Sequence, residues 1–90
     1  MFGRWTLGEE NGDTCTVELQ NFSWFGGYKA YMPAGCPKDF FSANRWVISG
    51  NRLLITDSDN RVVGSFSPAG PDRWSGRRAS DGARLYLNRR

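Results

Sequence analysis

The residues that could do chemistry in this chain are few, and one absence limits them at once. Histidine is missing, which removes the commonest general base, the commonest transition-metal ligand and the side chain that titrates near neutral pH. Glu9, Glu10 and Glu18 are candidates for the carboxylate pair of glycoside hydrolysis. Glu9 and Glu10 fall in a turn, however, and Glu18 stands alone on the outer side of an alternating segment. Residues 57–61 (Asp-Ser-Asp-Asn-Arg) open like a calcium loop, but Val62 stands where that loop needs glycine and Pro68 where it needs a bidentate glutamate. The segment reads as a hairpin turn. Asn21-Phe22-Ser23 matches the glycosylation triplet, a pattern short enough to arise by chance. With no nucleophile motif and no phosphate-cradling glycine loop, the chain reads as a binding protein and not an enzyme, with no metal and no cofactor.

Cys15 and Cys36 are the only cysteines. Two thiols without histidine cannot complete a four-ligand zinc site within one chain. An even, minimal count in a small, turn-rich chain reads as one disulfide; the alternative is a pair of buried reduced thiols in a cytosolic protein. A bridge would close a loop of about 22 residues and stabilise the fold by roughly 3 kcal/mol in the chain-entropy model. Such help matters, because a chain of 90 residues buries only roughly 64% of its unfolded surface. The bridge also implies an oxidising compartment, whereas the chain opens at Met1 without a basic and apolar leader. The expectation is one domain, residues 1–90, excised from a longer exported protein. No apolar run reaches the length that spans a membrane, so direct membrane insertion by this domain is not expected.

The charge is +3, and ten of the twelve basic residues are arginine. Residues 1–44 carry a balance of −2 and residues 45–90 one of +5. That polarity could steer an acidic partner or a nucleic acid. The simpler reading is a set of solvated arginines on alternate strand positions, and Arg77-Arg78 and Arg89-Arg90 are too short to form a basic tract.

The elements that position these residues are short and numerous. Turn signals recur about every ten residues with alternating segments between them, the pattern of an all-β barrel or sandwich. Residues 4–7 form a first strand with Trp5 and Leu7 inward. Residues 9–13 turn around Asn11-Gly12. Residues 14–22 alternate, with Cys15, Val17 and Leu19 inward and one face wet. Residues 23–27 read as a glycine-hinged loop, and residues 28–32 as a strand with Tyr28, Ala30 and Met32 inside. After a break at residues 33–37, residues 38–43 suggest one helical turn. Residues 45–49 (Trp46 and Ile48 inward), 52–57 (Leu53 and Ile55 inward) and 61–67 (Val62, Gly64 and Phe66 inward) follow. Residues 67–71 end that last strand, because proline supplies no ladder donor. Residues 72–77 and 83–88 form the final pair, with Trp74, Gly76, Leu85 and Leu87 inside. Eight antiparallel strands are the count at which side chains just fill a closed barrel. Trp24, Phe25 and Tyr31 are hard to place inside, and suit equally a binding surface beside Gly26-Gly27 or a plug over one end.

The ordered set Gly3 and Trp5, Cys15, Gly27-Tyr28 and Ala30, Gly35-Cys36-Pro37 and Trp46 resembles the bacterial metalloprotease inhibitors of the Inh (alkaline-protease inhibitor) family. So does the later run of Gly50, Leu53, Ile55, Asp57, Val62, Gly64, Phe66, Gly76, Leu85, Leu87 and Arg89. The likeness covers nearly the whole chain, and Gly-Cys-Pro with the Cys and Trp spacing is its most specific part. A similar domain ends some outer-membrane lipoproteins.

The resemblance implies an eight-stranded antiparallel up-and-down barrel of lipocalin or avidin shape with a disulfide between Cys15 and Cys36. It implies a periplasmic, outer-membrane-associated or secreted protein, lipid-anchored through an upstream segment in some relatives. Its partner would be a protease, a zinc enzyme of the serralysin type, met by a monomer. In such inhibitors an N-terminal arm enters the active-site cleft while the barrel rests on the rim. Only Met1, Phe2, Gly3 and Arg4 precede Trp5 here, too few to reach a buried zinc at roughly 3.5 Å per residue. The inhibitory arm is therefore expected to be missing from this chain. Partner contacts are expected at Met1, Phe2, Gly3, Arg4, Trp24 and Phe25. The alternatives are a non-inhibitory envelope barrel for a small ligand or protein partner, and an OB-type nucleic-acid barrel, which the paired cysteines and the lack of an aromatic RNA signature disfavour.

Overall fold

The computed structural model describes residues 2–24 and 26–90. Eight strands follow one another around a closed barrel in chain order: β1 (Gly3–Glu9), β2 (Thr14–Trp24), β3 (Gly27–Tyr31), β4 (Ala43–Ser49), β5 (Arg52–Asp57), β6 (Val62–Gly70), β7 (Arg73–Arg78) and β8 (Arg84–Arg89). Each pairs antiparallel with the next, and β8 returns to β1 through Trp5 against Arg89 and Leu7 against Leu87. Closure leaves no free sheet edge. The up-and-down order differs from the five-stranded Greek key of an OB barrel.

Strand alternation places the core as expected at most positions. Leu7, Val17, Leu19, Leu53, Ile55, Phe66 and Leu87 are fully buried, with Trp5 and Trp46 nearly so. Side chains occupy the barrel interior, so a small ligand held at its centre would have to displace them.

Four local expectations are corrected. Residues 23–27 are not an open loop: β2 runs on to Trp24, and Trp24 pairs with Gly27 across a tight turn. Phe25 lies outside the described residues. In β6 the pairings Ile55 with Gly64 and Thr56 with Val62 leave one extra residue between them. That bulge turns Val62 out (39% exposed) and Val63 in (7%). Pro68 does not end β6, which continues to Gly70 past a second irregularity between Pro68 and Gly70. Ile48 shares its face with Trp46 but lies next to the β4–β5 turn, where the barrel opens, and is exposed.

The barrel has two unlike ends. Both termini, and the turns after β2, β4 and β6, lie at one. The other carries the β1–β2, β5–β6 and β7–β8 turns and the long β3–β4 connection, which folds over it as a lid. Pro37 and Phe40 are buried in this lid, and a 3-10 turn at Phe40–Ser42 is the helical turn foreseen near residues 38–43. Cys36 is bonded to Cys15 of β2, with Cα atoms 4.8 Å apart. The phenyl ring of Phe40 reaches beneath Gly64, where a Cβ would lie 2.8 Å from its Cζ. Glycine there leaves the room that the ring fills.

A buried cation fastens the same end. Arg78 is 3% exposed; its Nη1 donates to Glu9 Oε1 at 2.7 Å and to the Lys38 carbonyl at 3.2 Å. Its Nε and Nη2 donate to the two Asp81 carboxylate oxygens at 3.0 and 3.1 Å. One guanidinium thus ties β7 to β1, to the β7–β8 turn and to the lid. The sequence reading put Arg78 among solvated arginines. The missed signal is parity, since Arg78 follows Trp74 and Gly76 on the inward side of β7.

Arg78 holds the Asp81 carboxyl below the usual carboxylate range, with a further contribution from the Ala83 backbone N–H. A depressed folded value means that the stabilisation is complete above the ordinary value of 3.8 and is lost as pH falls through the folded value. We expect Asp81→Asn to lower the thermal midpoint at neutral pH and to converge on the parent protein as acid is added below about pH 4. Parallel pH–midpoint curves for the two proteins would refute this assignment.

Candidate functional site

At the end that carries the termini, the chain enters the barrel across an aromatic stack. Tyr28 and Trp46 stack with ring centroids 5.0 Å apart and ring planes inclined by 29°. Phe2 meets both edge-on, at 6.1 and 5.8 Å. Trp46 Nε1 donates to the Gln20 carbonyl at 3.2 Å, so the stack's polar edge is satisfied. Gly3 turns the chain from Phe2 into β1 at φ +121°, a conformation that favours glycine. Arg89 Nη1 donates to the Phe2 carbonyl at 2.9 Å, and the Arg90 N–H to the Arg4 carbonyl at 3.1 Å. The first residues are thereby held by the last strand.

Arg4 points outward, opposite Glu18, which in turn stands opposite Tyr31. This cross-strand row crosses a groove of about 600 Å³ on the outer face of β1, β2 and β3, lined also by Thr16, Gln20 and Arg90. Arg90 Nη1 donates to Thr16 Oγ1 at 2.7 Å, and Gln20 Nε2 to Glu18 Oε1 at 2.7 Å. Further along β2, Trp24 is half-buried, with Phe22 6.4 Å away and the Lys29 ammonium 5.1 Å above its ring. Phe22 and Tyr31 are exposed.

Of the expected contact residues, the structure brings Phe2, Gly3, Arg4 and Trp24 to the β1–β3 side of one barrel end, while Met1 and Phe25 lie outside the described residues. Sequence reasoning missed Phe22 and Arg90. Phe22 was detectable, since its even number puts it on the outer face with Glu18 and Trp24. Arg90 was not, because only closure of β8 on β1 brings it beside Thr16.

The acidic residues first considered for catalysis are not gathered. Glu9 is engaged by Arg78 at the lid end, and Glu18 by Gln20 on the outer face. Residues 57–61 form a turn in which Asp57 Oδ1 accepts the backbone N–H groups of Asp59 and Arg61 at 2.9 and 3.0 Å, leaving that oxygen committed to the hairpin. What the surface offers is recognition: exposed aromatics and arginines around a concave face, the residue types enriched in protein–protein contacts.

Among curated proteins, none matches this sequence. A family model described as protease inhibitor Inh matches residues 1–89. With its closed eight-stranded barrel and its single disulfide, the chain belongs to the protease inhibitor Inh family.

Proposed function

We propose that this domain inhibits a secreted bacterial metalloprotease of the serralysin type, acting as a monomer in the periplasm, at the outer membrane or outside the cell. The observation that carries the reading is membership of a protease inhibitor family over residues 1–89. The inhibitory segment would lie ahead of Trp5 and enter the protease cleft while the barrel rests on its rim. Two features support that division of labour. The chain leaves the barrel at Phe2, beside the aromatic and arginine face of β1–β3. The opposite end is cross-linked and clasped, so the body is rigid, which lowers the ordering cost of placing an arm. The disulfide suits an oxidising compartment, and inhibition by binding needs no catalytic group of its own.

The test compares the 90-residue chain with the same chain carrying its natural upstream sequence against a serralysin-type zinc protease. The extended form should inhibit stoichiometrically, and the 90-residue form at least about tenfold more weakly, as expected when binding groups worth about 1.4 kcal/mol or more are absent. Failure of both forms against a panel of zinc, serine and cysteine proteases would overturn the proposal.

A further inference from the structure

On the far side of the barrel from the N-terminal groove, the outer faces of β5, β6, β7 and β8 enclose a depression of about 310 Å³. Arg52, Arg77 and Arg84 surround it, together with the hydroxyls of Ser65, Ser67 and Ser75, and no carboxylate lines it. The sheet register builds this cluster: Ser65 stands opposite Arg77, Ser67 opposite Ser75, and Arg77 opposite Arg84. Arg77 and Arg84 are thus like charges directly across a strand pair, an arrangement that destabilises a sheet unless something neutralises it. Beneath them Gly76 admits no side chain, because a Cβ would collide with the Ser65 carbonyl and Phe66.

The donors are largely uncommitted. Arg52 Nη1 reaches Ser65 Oγ at 3.4 Å and Arg77 Nη1 the Gly82 carbonyl at 3.0 Å, yet each guanidinium carries five N–H donors. Three guanidinium groups and three hydroxyls exceed what the two oxygens of a carboxylate can accept. They suit the three terminal oxygens of a phosphate ester, which arginine binds in bidentate fashion. A water molecule occupies about 30 Å³ of liquid, so the depression also has room for the group to which the phosphate is esterified. We propose that this arginine and serine patch is a binding site for a phosphate monoester. It shares no residue with the N-terminal groove, so both surfaces can be occupied together.

The experiment titrates the whole chain with inorganic phosphate and with glycerol 3-phosphate at constant ionic strength, followed by amide NMR. In parallel, the chain is sedimented with phosphatidylcholine vesicles with and without phosphatidic acid. Saturable shifts confined to β5–β8 around Ser65, Ser75 and Arg77 are expected. The double variant Arg77→Gln/Arg84→Gln should bind about tenfold or more weakly, since hydrogen bonds to charged groups are lost. Arg61→Gln/Arg73→Gln, with the same change in net charge outside the patch, should bind like the parent. Co-sedimentation only with phosphatidic acid would assign the site to a lipid headgroup; saturable phosphate binding without sedimentation would assign it to a soluble ester. Absence of both, or equal weakening in the two double variants, would overturn the proposal.

Discussion

Phe40→Ala is expected to lower the unfolding free energy by about 3–5 kcal/mol, the range for truncating a fully buried phenylalanine. In a domain of this size that corresponds to a fall in thermal midpoint on the order of 15–25 °C. The phenyl ring is completely buried and fills the space that Gly64 leaves beneath the lid. Collapse of the lid into the cavity would reduce the loss, but the lid is held ahead of Phe40 by the Cys36 bond to Cys15 and by Arg78 on the Lys38 carbonyl, and after it by the pairing of Ala43 with Asp57. The upper part of the range is therefore expected. Phe41, its neighbour, is 83% exposed, so Phe41→Ala should change stability by no more than about 0.5 kcal/mol. Denaturant unfolding of the two variants separates the cases. Similar losses for both would show that the lid contributes through its backbone path and not through the buried ring.

That contrast between adjacent phenylalanines marks where sequence patterning stops being informative. Period-2 alternation locates Trp5, Leu7, Val17, Leu19, Leu53, Ile55, Leu85 and Leu87 correctly, because each sits within a paired strand where one face must be dry. It fails at Val62 because a bulge, fixed by pairing with β5, shifts parity by one residue. It fails at Ile48 for another reason: parity names a face but does not say how far the interior extends along it. Phe40 and Phe41 lie outside any alternating segment, so nothing local says which one enters the barrel. Arg78 was missed because its composition argued for solvent while its parity argued for burial, and parity was right. The candidate site shows the same division. Phe2, Arg4 and Trp24 could be named from position along the chain, whereas Arg90 and the Arg52, Arg77 and Arg84 cluster depend on which strands end up side by side.

The contacts that hold the barrel together are unevenly shared between its two ends. The disulfide, the buried cation and the lid gather at one end, far from the point where Phe2 enters. A binding face placed at the other end can then vary its exposed residues without cutting into those contacts. The exposed aromatics of β2 and β3 lie on outer positions of strands whose inner positions are already filled, so the fold itself does not bury them.

Replacing both cysteines, as Cys15→Ala/Cys36→Ala, should lower stability by roughly 3 kcal/mol, from the entropy of closing a loop of this length in the unfolded chain. The two cysteines are 21 residues apart, and the closed loop contains all of the β2–β3 hairpin but Thr14, together with the start of the lid. The denaturant dependence should become steeper as well, because the uncross-linked unfolded chain exposes more surface. A fall in midpoint with no change in slope would place the loss in the folded state, as a loosened lid. The two origins are separable through Phe40. If the bridge acts mainly on the unfolded chain, the cysteine and Phe40→Ala losses should add within about 0.5 kcal/mol. If it acts by holding the lid over the ring, Phe40→Ala should cost less in the cysteine-free protein, because the freed lid can then settle into the cavity. Inhibition offers a further check on the separation of the ends. A cysteine-free chain, still folded at the assay temperature, should keep its effect on a protease when that effect is exerted through the opposite end, and a parallel loss of inhibition would tie the lid to the binding face.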